Sequence, residues 1–321
     1  MKEISEIAQG NYFEVADGVW GMKDIFVNVY FVSTADGWVL IDTGLKSGYE
    51  KIINVAGQLF GDNVVPEGIV LTHGHFDHVG SLEKFVREWK VPVYAHHLEQ
   101  PYLNGKSAYP PADSTVGGGL MSALADFYPI EPLNMSGEVE SLPFSMEIPV
   151  LPEWRYIHTP GHAPGHISLW REKDKVLIVG DAFVTTKQES ALAALSQIMV
   201  LSGPPKYFTC DWQLAKKSVE TLALLNPEVV ATGHGKPMFG EQMRQDLRQL
   251  AFDFDAKAVP SQGRYVSEPA ITNQYGVVFL PPKNSRMAER IAIAAGILIL
   301  AGLGFVIGAH LSKSNVAIFK S

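Results

Sequence analysis

Short apolar runs broken by turn residues open the chain, predicting antiparallel strands at residues 15–22 around Asp17-Gly18, at 28–33, and at 38–41 after Ala35-Asp36-Gly37. The period then changes. Apolar residues at helical spacing over 49–60 predict a helix, residues 67–71 read as a buried strand, 83–89 as a second helix, and 91–95 as a strand running into His96-His97. From about 100 to 152 the pattern is broken by Pro, Gly, Ser and Tyr, with Tyr109-Pro110-Pro111 and Gly117-Gly118-Gly119 as punctuation, and a long mixed segment of this kind tends to cover a site. Strands follow at 156–159, 168–170, 175–179 and 228–232, and helices at 190–201, 211–225 and 241–256. No period of about 20 to 50 residues recurs, which excludes a repeat protein.

One stretch stands apart. Residues 291–311 contain no Asp, Glu, Lys or Arg, and 21 residues of helix span about 31 Å, the thickness of a bilayer's hydrocarbon core. The expected organisation is one large globular domain over 1–280, a linker at 281–290, a transmembrane helix at 291–311 and a short tail at 312–321. Ala292, Gly296, Gly304 and Gly308 share a four-residue period and offer a face on which two such helices could form a homodimer. The first residues, Met-Lys-Glu-Ile-Ser-Glu, carry no export signal, so the expected topology is a single-pass cell-membrane protein with its large domain in the cytoplasm. Lys283, Arg286 and Arg290 before the apolar segment, against Lys313 and Lys320 after it, lean the same way.

Composition narrows the chemistry. With 34 acidic against 26 basic residues the net charge is −8, and no basic stripe interleaved with aromatics occurs, which disfavours nucleic acid as a partner. Cys210 is the single cysteine, which rules out an internal disulfide and a thiolate zinc cluster and suits a buried, inert thiol.

The densest chemistry lies in Thr72-His73-Gly74-His75-Phe76-Asp77-His78, where four metal-capable side chains fall within six residues between a predicted strand and a helix. Other strand ends carry Asp42, Asp181 and His234, each followed by or set among glycines, and the loop Thr159-Pro160-Gly161 adds His162. Two dications a few Å apart need about that many ligands, with anionic groups among them to offset their repulsion. His96, His97 and His158 read as strand-end or packing residues, whereas His166, four residues past His162, is a candidate substrate contact. Tyr102, Tyr109, Phe127, Tyr207 and Trp212 follow ligand loops and are expected to wall a substrate pocket, with Tyr109 and Tyr207 as candidate contacts.

Taken in order, Ile41-Asp42-Thr43-Gly44, Thr72 to His78, Thr159-Pro160-Gly161-His162, Gly180-Asp181-Ala182 and Gly233-His234-Gly235 resemble the motifs of the metallo-β-lactamase superfamily over roughly residues 10 to 260. The resemblance implies an α/β fold, a four-layer αβ/βα sandwich with metals at one edge, here extended by a C-terminal transmembrane helix. It implies that His73, His75 and His162 hold one metal, that Asp77, His78 and His234 hold the other, that Asp181 bridges, and that Asp42 orients a ligand from behind. The implied cofactor is two Zn2+, with Fe or Mn as alternatives, and the implied activity is that of a glyoxalase II-like or lactonase-like hydrolase. A bridging water acidified from a pKa of about 15.7 towards about 7, with Asp77 orienting it, would attack an ester, thioester or lactone of a small molecule. Branches differ beyond the ligands. Ala182-Phe183-Val184-Thr185-Thr186 follows Asp181 where glyoxalase II-type enzymes carry a glutathione-binding segment, and Val184 stands where acyl-homoserine lactonases carry a Tyr. Alternatives are a persulfide dioxygenase-like enzyme with one iron and a membrane-tethered protein that only binds metal or ligand.

Overall fold

The computed structural model describes residues 11–196 and 199–283. The chain divides into two compact units, Met1–Pro281 and Pro282–Ser321. From residue 284 onward the expected linker, apolar segment and tail lie outside the described residues, and among the described residues no helix is long and apolar enough to cross a membrane.

Among the described residues, the first unit is built from two large sheets and a two-stranded one. The first runs in sequence order through β1 (Tyr12–Ala16), β2 (Val19–Asp24), β3 (Val27–Ser33), β4 (Trp38–Ile41), β5 (Gly68–Val70), β6 (Val93–Ala95) and β7 (Val139–Ser141). Its pairs are antiparallel as far as β4 and parallel beyond, where helices α1 (Tyr49–Phe60) and α2 (Leu82–Trp89) make the first two crossovers and residues 96–138 the third. Short helices α3 (Gln100–Leu103), α4 (Leu120–Ala123) and α5 (Ala191–Ser196) lie in the connecting segments. The second sheet has the order β12-β11-β10-β9-β8, formed by β8 (Arg155–His158), β9 (Ile167–Arg171), β10 (Val176–Gly180), β11 (Val229–Thr232) and β12 (Met238–Phe239). Helices α6 (Trp212–Leu224), α7 (Gly240–Phe252) and α8 (Phe254–Lys257) follow its strands, and a hairpin of β13 (Ile271–Asn273) and β14 (Gly276–Phe279) ends the unit.

Alternation along the strands explains the layering. In β3 and β4, Val29, Phe31, Trp38 and Leu40 pack against α1 and α2, while Tyr30, Val32, Val39 and Ile41 point to the opposite face. In β9 and β10, Leu169, Val176 and Ile178 meet that second set, and Trp170, Leu177 and Val179 pack against α6 and α7. The layers are therefore helix, sheet, sheet, helix, and each sheet is covered on both faces. That is why these strands read as continuous apolar runs. Each such side chain contributes about 1.5–3 kcal/mol on burial, so the sandwich forms a stiff support for the loops at its edge.

The expected elements at 49–60, 83–89 and 211–225 appear within one or two residues of their expected ends. Others differ. The irregular segment 100–152 contributes a seventh strand, because Val139 pairs in parallel with Val93. The helix expected over 190–201 is seen as Ala191–Ser196, with residues 197 and 198 outside the described residues. The helix expected over 241–256 breaks at Asp253, so that Phe254 is fully buried while Phe252 stays exposed. The hairpin β13–β14 and the two-residue β12 escaped the apolar pattern because each is short and largely exposed.

Candidate metal centre

Chain ends of β4, β5, β8, β10 and β11 deliver the polar residues to one edge of the sandwich. Asp42, just past β4, takes a left-handed backbone (φ 62°), a conformation that Asp tolerates better than most residues. From there its Oδ1 accepts the Thr72 amide at 2.8 Å and its Oδ2 accepts the Thr72 hydroxyl at 2.7 Å. The same Oδ2 lies 2.8 Å from His78 Nδ1.

Four histidines are aimed by the nitrogen that faces away from the centre. His78 Nδ1 donates to Asp42. His73 Nδ1 lies 3.1 Å from the Thr72 hydroxyl, whose proton is already given to Asp42. His234 Nδ1 donates to the Phe26 carbonyl at 2.9 Å. His162 Nδ1 faces the Thr209 hydroxyl at 3.5 Å, and that hydroxyl donates to Pro205. Each bond fixes a tautomer and leaves Nε2 turned inward, as ligating histidines require. His75 turns its Nδ1 inward instead, 3.0 Å from His162 Nε2.

Asp181 is the hub of the inward-facing atoms. Its Oδ2 lies 3.0 Å from His234 Nε2, 3.5 Å from His162 Nε2 and 3.6 Å from His78 Nε2. Asp77 Oδ2 is 3.5 Å from His234 Nε2 and 4.0 Å from His78 Nε2. Among the described residues, three groups have ligand atoms within 4.8 Å of one another: His73, His75 and His162; His73, His78 and Asp181; Asp77, His78 and His234. A Cβ on Gly233 would sit 2.0 Å from Asp181 Oδ1, so only glycine fits before His234.

These residues fit divalent cations. His73 Nε2, His78 Nε2 and Asp181 Oδ1 are buried with no hydrogen-bond partner, and an orphaned buried polar atom costs about 1–3 kcal/mol. Imidazole nitrogens and carboxylate oxygens are the donor set that first-row divalent metals accept. Burial, followed by the neighbouring histidines, holds His73 and His162 well below the usual imidazole range, and burial takes His75 down to about 3. All three are thus neutral, the form that binds metal. Burial opposes ionisation of Asp181, but His234 and His78 outweigh it and keep the carboxylate charged.

The remaining expected contacts are placed differently from one another. His166 is fully buried; its Nε2 accepts the Asp181 amide at 2.8 Å and its Nδ1 lies 2.8 Å from the Thr159 hydroxyl, so it supports Asp181 from behind. Tyr109 stacks on Tyr102, and its hydroxyl is taken up by Glu99 and the Gly74 amide. Tyr207 joins Phe76, Tyr128 and Phe208 in an aromatic cluster beside the centre. Phe127 is exposed, and Trp212 belongs to the core under α6, against Phe254. His96 stacks on His158 at 4.1 Å, away from the metal-type groups.

Sequence reasoning missed Phe208, Thr209 and Glu99. Phe208 stacks on His75 with ring centroids 4.4 Å apart; its place beside Tyr207 was the available signal. Thr209 and Glu99 carry none, since a lone Thr or Glu in a loop resembles any solvated residue.

The family model of the metallo-β-lactamase superfamily matches residues 22–234. The chain is 44% identical over 251 residues to the "Probable metallo-hydrolase YflN" of Bacillus subtilis, covering 77% of this chain and 95% of that protein. It is 26% identical over 218 residues to "Probable metallo-hydrolase YybB" of the same organism, covering 68% and 84%. Among solved structures, BJP-1, a subclass B3 metallo-β-lactamase of Bradyrhizobium japonicum, shares the fold at a TM-score of 0.53 and 19% identity, over 77% of this chain and 93% of that one. On the extent of these matches, the chain belongs to the metallo-β-lactamase superfamily.

Proposed function

We propose that this chain is a dinuclear metal hydrolase, loaded with zinc or alternatively iron or manganese, that cleaves an ester, thioester or lactone of a small molecule. The observation that carries the reading is the sharing of Asp181 Oδ2 among His78, His162 and His234, which sets one carboxylate between two groups of ligand atoms. His73, His75 and His162 would hold one cation and Asp77, His78 and His234 the other, with Asp181 common to both. A bound divalent pair acidifies water to a neutral-pH nucleophile and polarises the carbonyl under attack.

The chain's own groups supply the rest. Asp77 is buried at the centre, where its carboxylate would accept a hydrogen bond from the attacking water and orient it. Burial raises the Asp77 carboxyl above its usual range, and the neighbouring His78 and His234 oppose that rise. Phe76, Tyr128, Tyr207 and Phe208 form an apolar wall that lowers the local dielectric and faces the non-reacting part of the substrate. The similarity to YflN and YybB, both named as probable metallo-hydrolases, supports this class.

We place the enzyme at a membrane through residues 291–311, with residues 1 to about 285 cytoplasmic and the four-residue small-side-chain period as a homodimer face. The deciding experiment is the metal content per chain by plasma emission, followed by a panel of chromogenic esters, thioesters and lactones. Two equivalents and turnover on one class are expected. A single iron with sulfur oxidation would favour the dioxygenase-like alternative, and two metals without turnover a binding protein. Protease treatment of spheroplasts decides the topology: digestion of the large domain from outside would overturn it.

A further inference from the structure

Glu99 ends the short turn after β6 and is fully buried. Its Oε2 accepts the Gly74 amide at 2.8 Å and the Tyr109 hydroxyl, and its Oε1 accepts the Gly165 amide at 2.7 Å. Gly74 lies between His73 and His75, and Gly165 is three residues past His162. One carboxylate therefore joins the two loops that bring His73, His75 and His162 together, although those loops are 91 residues apart in the chain (165 − 74).

Its partners are three neutral donors, an arrangement that is costly for a buried carboxylate and needs a reason. Both loops are shaped to admit it. A Cβ on Gly74 would lie 2.5 Å from the Tyr109 oxygen and 3.4 Å from Glu99 Oε2, and one on Gly165 would lie 2.8 Å from Glu99 Cγ and Oε1. Tyr109, whose ring centroid is 4.7 Å from that of His75 and whose hydroxyl accepts the Gly74 amide at 2.9 Å, braces the same loop.

We propose that Glu99 is a positioning residue: its carboxylate ties the His73–His75 loop to the His162 loop and so holds this histidine trio in register for a divalent cation. The inference rests on the reading of these three histidines as ligands. Only an acceptor with two oxygens reaches both loops at once. In Glu99→Gln the amide NH2 replaces one oxygen and confronts an N–H donor, so one loop comes free while size and burial are kept.

The test titrates metal-free full-length protein with Zn2+ against a chromophoric chelator, and with Co2+ followed by its visible absorption. Wild type should bind two equivalents tightly. Glu99→Gln should keep one tight equivalent and lose about 10- to 100-fold in affinity at the other, the size expected for a residue that orients ligands. A residue that only stabilises the fold would lower the melting temperature of the metal-free protein and leave both affinities alone, so two unchanged affinities overturn the proposal. If Glu99→Gln does not fold, Tyr109→Phe, which removes one donor to the same oxygen, decides: a severalfold weakening at one cation supports the clamp, and none overturns it. Failure of wild type to bind any Zn2+ or Co2+, or an unweakened His75→Ala, would instead sink the underlying metal reading.

Discussion

Asp42 Oδ2 lies 2.8 Å from His78 Nδ1 while the same carboxylate accepts both the amide and the hydroxyl of Thr72, so one side chain anchors the ligand loop at its two ends. Asp42→Asn keeps the left-handed backbone and the size but turns an NH2 towards a donor. Removing a partner from a buried donor costs about 1–3 kcal/mol, and loss of such an orienting bond weakens metal binding about 10- to 100-fold. Urea unfolding and Zn2+ competition should both shift in this variant. An unaltered Zn2+ affinity would show that His78 does not depend on Asp42.

Asp181 has no substitute in the geometry, since its Oδ2 meets three histidines and its Oδ1 is buried without a partner. Asp181→Ala should bind no more than one metal per chain and lose turnover by about 100-fold or more, exceeding the effect of losing an outer residue. Circular dichroism should stay close to wild type, because the carboxylate packs at the edge of the sandwich and not in its core. Full activity with two metals bound would end the bridging model.

Much of this is legible in the sequence, for physical reasons. Ligand loops announce themselves because chelation concentrates rare residue types, as in the run from His73 to His78, and because covered sheets leave apolar runs such as 38–41. What supports the ligands is dispersed. Thr72 sits beside His73 and could have been named, but Phe26 reaches His234 through its backbone carbonyl, which no side-chain pattern encodes. Glu99 lies 25 residues from Gly74 and 66 from Gly165, a relation that exists only after folding. Similarly, His166 was legible as a neighbour of His162 but not as the acceptor for the Asp181 amide, because β9 and β10 must first pair to bring the two together.

Cys210 is buried in the core under α6, and burial, followed by Asp211, pushes its thiol up to about 12. Because the folded value lies above the unfolded one of about 8.5, the thiol's contribution to stability is complete below about pH 8.5 and is lost as pH rises towards 12. Native protein at pH 8 should therefore react with iodoacetamide at least about a hundredfold more slowly than the chain unfolded in guanidinium. Cys210→Ala should flatten the fall in stability over that alkaline window. Rapid labelling of the native protein would show that the thiol is reachable and ionised.

The aromatic wall provides the test of specificity. Phe208 stacks on His75 at 4.4 Å and 25°, and it lies 5.8 Å from Tyr128 and 6.2 Å from Phe76 between ring centroids, so it links a proposed metal ligand to the proposed substrate wall. Full truncation would cost about 3–5 kcal/mol in a buried position and confuse folding with recognition. Phe208→Leu preserves most of the volume and removes the flat face. Metal content should remain at the wild-type level, since Phe208 supplies no ligand. The ratio of kcat/KM between substrates with bulky and small acyl groups should shift by about tenfold or more, the range that a change in an apolar pocket commands. Such a shift with intact metal content would assign the wall to substrate selection. If both the ratio and KM stayed fixed, the cluster would serve only to pack His75, and the selecting surface would have to be sought in the apolar side chains that α4 and α5 expose, among them Leu120 and Leu192.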